Sequence, residues 1–392
     1  MIKKLLQTII EEKILIKNTI AVLTSTALGG ALGAATTILL SRVFTPQDFG
    51  IFKTLTSFYG FFIYFLDFGF QNTIIKYTSE YSSKGKEEKI RHLIHNLFIF
   101  RILILIPIVI FSLAFKKEIA IAFLNNENLS YLIYPAVIFS VITFSDLTRP
   151  IIIGLQNFSL LSIINIAVPL SGLLILIPAA LLLGLPATII ALGITHLIGS
   201  TISIFFLIKK NYHVPTKYSL FRWPRLIFSY GLPLYFSTLP SYAFLGIIPF
   251  LSLFFDQNKV GYYSFALSFY TVAMIVPVSI SQILLPRVAS LSPKHALETL
   301  KNTLFLYLFI AAMEILFVYF LAKSIISLIS PNFIPAANLV IILVTMATTL
   351  GFGTLLISYF TAKKKLGLVL VLNVILASVF VIVSLAATNF FL

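Results

Sequence analysis

The sequence predicts an all-α, polytopic integral membrane protein built from two parallel, similarly folded halves. Three observations predict it. The first is solvation: 59% of the 392 residues are apolar, 10% are charged and the mean hydropathy is +1.03. That balance suits a chain solvated mostly by lipid rather than by water. The second is length: the apolar residues fall into continuous runs long enough to cross the roughly 30 Å of hydrocarbon as helices. They do not alternate as barrel strands would. The third is an internal repeat. Shifted without a gap so that Gly50 falls on Gly261, Ser57-Phe58-Tyr59 falls on Ser268-Phe269-Tyr270, Gln71 on Gln282, Lys76 on Arg287 and Ser79 on Ser290. Self-similarity of this length marks two like-folded units.

In chain order, residues 2–17 carry Ile2, Leu5, Leu6, Ile9 and Ile10 at helical spacing opposite Lys3, Lys4, Glu11, Glu12 and Lys13. This is the pattern of an amphipathic helix lying on the inner leaflet. The run that follows is too long for a signal-peptide core and is expected to be retained. Eleven spans are expected, at 19–41, 50–71, 91–115, 130–151, 157–183, 186–207, 226–251, 262–285, 301–322, 334–360 and 366–388. With the N-terminus inside, 21 Lys and Arg fall in inner segments and five in outer ones, the bias expected of cytoplasmic loops in a cell membrane. The net charge of +15 is then a topological signal, and no nucleic-acid partner is expected. With no cysteine, disulfides and thiolate chemistry are excluded, and five scattered histidines show no metal-ligand spacing.

Six spans separate the two copies of the repeat, so the halves are parallel and related by an axis along the membrane normal. A first lobe at 1–207, a polar cytoplasmic linker at 208–225 and a second lobe at 226–392 follow. The counterpart of the sixth span falls past residue 392, so the second lobe reads as five spans, with a twelfth expected and absent.

Several polar residues stand where hydrocarbon is expected. Lys53, Ser57, Gly60, Tyr64, Asp67 and Gln71 recur along one face of the second span, and Ser264, Ser268, Thr271 and Gln282 hold matching positions in the eighth. They form either two facing walls of a wet cavity or a helix-packing seam; an intramembrane charge favours the cavity. Arg42, which ends the first span, and Lys53, which opens the second, either face the cavity or snorkel to the outer interface. Arg101, deep in the third span, faces the cavity or pairs with Asp67. Asp146 is expected to pair locally with Arg149, and His196 to be a hydrogen-bonded core residue. Glu314, in mid-span, is either neutral or a coupling-ion site together with Asp67. Gly231, Pro233 and Pro240 are expected to bend the seventh span as a hinge. Gly29 and Gly33 form a GxxxG that permits close helix packing.

The run Leu40-Ser41-Arg42-Val43-Phe44-Thr45-Pro46-Gln47-Asp48-Phe49-Gly50-Ile51-Phe52 and the later Asp67-Phe68-Gly69-Phe70 carry a family resemblance. So do Ile75-Lys76-Tyr77-Thr78-Ser79-Glu80-Tyr81, Val260-Gly261-Tyr262-Tyr263-Ser264 and Leu284-Leu285-Pro286-Arg287. In this order, over essentially the whole chain, the sequence resembles the Wzx-type oligosaccharide flippases of polysaccharide biosynthesis. These belong to the MOP superfamily with the MATE exporters and the MurJ-type lipid II flippases. The resemblance implies a V-shaped pair of bundles around a cavity that opens alternately to each side. It also implies transport, without bond-making, of a polyprenyl-pyrophosphate-linked saccharide from the inner to the outer leaflet. Expected partners are that lipid-linked glycan, membrane lipids and other polysaccharide-assembly membrane proteins. No cofactor is expected beyond a coupling H+ or Na+. A cation-coupled small-molecule exporter of the MATE kind is the alternative. A membrane-embedded glycosyltransferase or polymerase ranks last, because no extramembrane loop carries an organised acid–base pair.

Overall fold

The computed structural model describes residues 2–144, 148–212 and 230–391, and among them every regular element is a helix. In the first half these are α1 (Ile2–Val43), α2 (Pro46–Phe65), α3 (Phe70–Ser83), α4 (Glu87–Ala114), α5 (Lys116–Leu124), α6 (Ile133–Phe144), α7 (Thr148–Gly154) and α8 (Phe158–Lys209). In the second half they are α9 (Leu232–Thr238), α10 (Ala243–Ser252), α11 (Gln257–Ala273), α12 (Ile275–Ser290), α13 (Pro293–Ile329), α14 (Ala337–Ala362) and α15 (Leu366–Phe391). The linker expected at 208–225 lies mostly outside the described residues, as does Asp146; the helical backbone of 2–17 is described, but its side chains are not.

Among the described residues seven helices are long and apolar enough to cross a membrane, or eight if α2 and α3, bent by 53°, make one span. The expected count of eleven differs for local reasons. At 52 residues α8 would be about 78 Å long at helical rise, and it is two helices joined at Gly184, whose φ of 78° and ψ of −165° break the helix. The expected span at 130–151 crosses residues outside the described ones, and that at 226–251 is a chain of shorter pieces, α9 with α10. In the latter, the 3-10 turn Leu239–Tyr242 carries Pro240, which cannot continue an α-helical ladder.

The repeat is visible as structure. Thr45 and Asp256 hold matching positions in the two copies, and both are N-caps in extended conformation. The Thr45 hydroxyl accepts from the Asp48 amide at 3.1 Å, and the Asp256 carboxylate accepts from the Asn258 and Lys259 amides at 2.9 and 3.1 Å. Each launches a helix, α2 or α11, by satisfying N–H groups that have no intrahelical partner. The two helices cross where Gly50 meets Gly261. A Cβ on Gly50 would collide with the Gln257 carbonyl, and one on Gly261 with the Pro46 carbonyl. The Thr54 hydroxyl donates to Gln257 Oε1 across the same crossing at 3.1 Å.

We call this the cap end of the molecule. Here the two halves share one apolar core, running from Leu40 and Phe49 through Val260 and Phe265 to Phe333 and Ala387. At the opposite end each half keeps a core of its own. Phe70, Ile74, Ile90, Ile151 and Leu207 pack together in the first, and Leu284, Val288, Ala296, Leu300 and Leu355 in the second. The molecule is therefore a pair of helical bundles that share a core at one end and keep separate cores at the other.

Candidate functional site

Between the bundles lies a cavity of about 530 Å³. One wall is α1 with α2, presenting Gly30, Gly33, Thr37, Lys53, Thr56, Ser57 and Gly60; the facing wall is α11, presenting Ser264, Ser268 and Thr271. Phe61, Phe139, Leu192, Phe244 and Ile248 supply apolar lining. The packing of α1 explains the space. Gly29 lies so close to the Asn165 backbone that a Cβ would overlap it, whereas Gly33, one turn on, has open space before it and lines the cavity. The expected GxxxG thus has one glycine for packing and one for room.

Lys53 is the charged residue of this lining. Its ammonium lies 5.4 and 6.0 Å from the ring centres of Phe49 and Phe52. Among the described residues no carboxylate pairs with it. Cation–π contacts partly offset the loss of water around an ammonium, but they leave its donors for an anion. The Ser264 hydroxyl, on the opposite wall, is buried without a hydrogen-bond partner among the described residues. Buried polar atoms left unsatisfied by the protein are places where a water or a ligand bonds.

A second cavity of about 350 Å³ continues along α1 and α12 away from the cap end. It shares Phe244 and Thr271 with the first and is lined by Leu23, Thr26, Tyr270, Ile275 and Gln282. The Tyr270 hydroxyl is also buried and unpartnered among the described residues. The polar residues of the eighth expected span are thereby divided: Ser264 and Ser268 line the first cavity, Thr271 the boundary and Gln282 the second.

The matching stripe on the second span does not stay on one face. Lys53, Ser57 and Gly60 line the cavity, but α2 ends at Phe65, and Phe68 and Gly69 adopt left-handed backbone at φ 46° and 78°. The break resets the helical phase. Tyr64 is 40% exposed, with its ring 6.2 Å from that of Tyr242. Gln71 belongs to α3, where its amide donates to Asp67 at 3.2 Å. Asp67 is expected on the cavity wall and Arg101 either there or paired with Asp67; the two form a buried ion pair with N···O 3.0 Å and side chains 3% and 7% exposed. They stabilise the break and lie outside the lining.

Arg42 is also placed otherwise than on the cavity. Its guanidinium donates to the Ile329 carbonyl and, at 2.7 Å, to the Leu328 carbonyl, so it caps the C-terminal end of α13. A cation there meets the negative end of the helix dipole. Beside it the hydroxyls of Ser41 and Ser330 are 2.6 Å apart, a second tie between the halves at the cap end. Glu314 lies on α13, outside both cavity linings, and no cluster able to hold a metal ion occurs among the described residues. The Arg149 guanidinium donates to Asn165, whose amide in turn donates to Ser25 and Thr26 at 3.3 and 3.2 Å. The His196 ring lies 6.2 Å from the Phe139 ring.

At the far end the halves meet again. Gly69 approaches Gly231 so closely that a Cβ on either would strike the other's backbone. The Tyr235 hydroxyl donates to the Phe65 carbonyl at 2.6 Å, and the Lys76 ammonium lies 3.7 Å from the Tyr230 ring centre. Of the expected hinge, Gly231 is thus a contact point, Pro233 starts α9 and Pro240 sits in the 3-10 turn. This contact was not readable from periodicity, because it rests on two glycines far apart in sequence.

A family model described as polysaccharide biosynthesis protein matches residues 15–292. No curated protein sequence matches the chain. Among solved structures, the chain is similar to the lipid II flippase MurJ in an inward closed conformation. The TM-score is 0.69 at 18% identity, over 95% of this chain and 84% of that one. It is similar to a multidrug resistance MATE family transporter of the MOP superfamily, inward-facing, with a TM-score of 0.57 at 12% identity over 95% and 98% of the two chains. It is also similar to a eukaryotic MATE transporter, with a TM-score of 0.54 at 14% identity over 98% and 99%. The fold is that of the MOP superfamily.

Proposed function

The chain belongs to the polysaccharide biosynthesis protein family, and we propose that it is a flippase for a polyprenyl-(pyro)phosphate-linked oligosaccharide. The single observation that carries this reading is Lys53. A cation without a carboxylate partner among the described residues faces hydroxyl-bearing residues across a cavity between two bundles. Moving a pyrophosphate bare through hydrocarbon is prohibitive, and a cation with hydroxyl donors in a wet cavity replaces part of its hydration. The saccharide finds partners in Ser57, Ser264, Ser268 and Thr271. No bond is made or broken, so the protein needs no catalytic group. Residues 1–207 and 226–392 act as two lobes that alternate the cavity between leaflets, with the N-terminus on the cytoplasmic side where most lysines lie.

The MATE-like exporter reading is less well supported, because the lining offers an organic cation no carboxylate and confronts it with Lys53. The test is flipping of a fluorescent polyprenyl-pyrophosphate saccharide in proteoliposomes. Lys53→Gln is expected to lose most of the flipping while unfolding at the wild-type temperature. Flipping at the wild-type rate by this variant overturns the proposal.

A further inference from the structure

Beside the cavity, α2 and α10 leave a groove of about 390 Å³ whose lining carries no polar side chain. Sequence explains the space. Gly246 contributes no side chain to the α10 wall, and the Phe61 ring lies close against it; a Cβ there would meet the ring at 2.9 and 3.0 Å. Phe58 and Phe62 complete the α2 wall, while Phe250 and Leu253 carry the groove to the outer surface of the bundle. Phe61 lines both the groove and the cavity that holds Lys53, so one aromatic ring separates a wholly apolar slot from a cationic chamber.

Charge complementarity across this partition selects the occupant. The chamber suits an anionic, hydroxyl-rich group and the groove a bare hydrocarbon, and the two are adjacent. We propose that the α2–α10 groove holds the head-proximal part of the isoprenoid chain of the transported lipid while its head lies by Lys53, with Phe61 as the movable partition. This rests on the flippase reading. It adds a chain-binding site, and it makes transport depend on the tail as well as the head.

The experiment compares two probes with the same fluorescent pyrophosphate-linked sugar, one on a long polyprenyl chain and one on a methyl group, which leaves the groove empty, in proteoliposomes. Gly246→Leu is expected to slow the long-chain probe by about tenfold and leave the methyl probe near the wild-type rate. Equal rates for wild type and variant on the long-chain probe overturn the groove and leave the flippase reading standing. Failure of the wild type on both probes overturns the flippase reading and the groove with it. A long-chain probe with a photoreactive diazirine beside the pyrophosphate gives a readout on the unaltered protein. Adducts are expected on 58–62 and 243–253. Adducts confined to other segments overturn the proposal, including where Gly246→Leu slows both probes alike.

Discussion

At the scale of single residues, three cations that look alike in the sequence have three different surroundings. Lys53 has aromatic neighbours and a cavity in front of it, Arg42 has two carbonyls at the end of α13, and Arg101 has Asp67. Removing one partner of a buried pair leaves the other charge uncompensated, at a cost of about 3–5 kcal/mol. Arg101→Ala is therefore expected to lower the unfolding temperature in detergent sharply. Asp67→Asn combined with Arg101→Met is expected to restore most of it, and a double variant as unstable as the single one would show that the pair is not what holds the site. The sequence tells that a charge within a span needs water or a partner; it does not tell which. That choice stayed open for Lys53 between the cavity and the interface, although Ser57 and Gly60 extend its face. It was not legible for Arg101, whose partner lies 34 positions away and is delivered by a helix break.

Element by element, the spans were readable wherever the chain is continuous, and misread where it is broken. Continuous apolar runs gave α4, α13, α14 and α15, and the polar turns before α2 and α11 gave their starts. The break after Phe65 was not legible as a change of face. It depends on left-handed backbone at Phe68 and Gly69 and on a tyrosine from the other half that takes up a carbonyl near the break. A hydrogen bond of this kind contributes about 1 kcal/mol. Tyr235→Phe is expected to loosen the contact of α3 with α9. Thr73, 3% exposed and directly against Gly231, reports on it. A cysteine placed at Thr73, in a chain with no other cysteine, should react with a maleimide several-fold faster when Tyr235 is also Phe. Equal labelling rates would remove Tyr235 from the closure.

For the molecule as a whole, a core shared at the cap end and divided at the other describes two bodies able to turn against each other. Motion that opens the cap end has to part Ser41 from Ser330, whose oxygens are 2.6 Å apart. Thiols at both positions should bond on mild oxidation. The oxidised Ser41→Cys/Ser330→Cys protein is expected to stop flipping and to recover on reduction, and continued transport by the oxidised form would mean that the cap end stays shut throughout the cycle. Two halves with a cavity between them were legible from the repeat. The lateral groove was not, because its walls are ordinary apolar helix faces and its space comes from one glycine opposite one ring. The crossing of Gly50 with Gly261 has a further meaning. These residues are the same position in the two copies, and in a twofold arrangement only a position on the axis meets its own image. A single ancestral half pairing with a second molecule of itself would have used this very contact. There, any side chain larger than hydrogen would have entered twice, so one change would have struck both partners at once; in a single chain each glycine is a separate target for mutation.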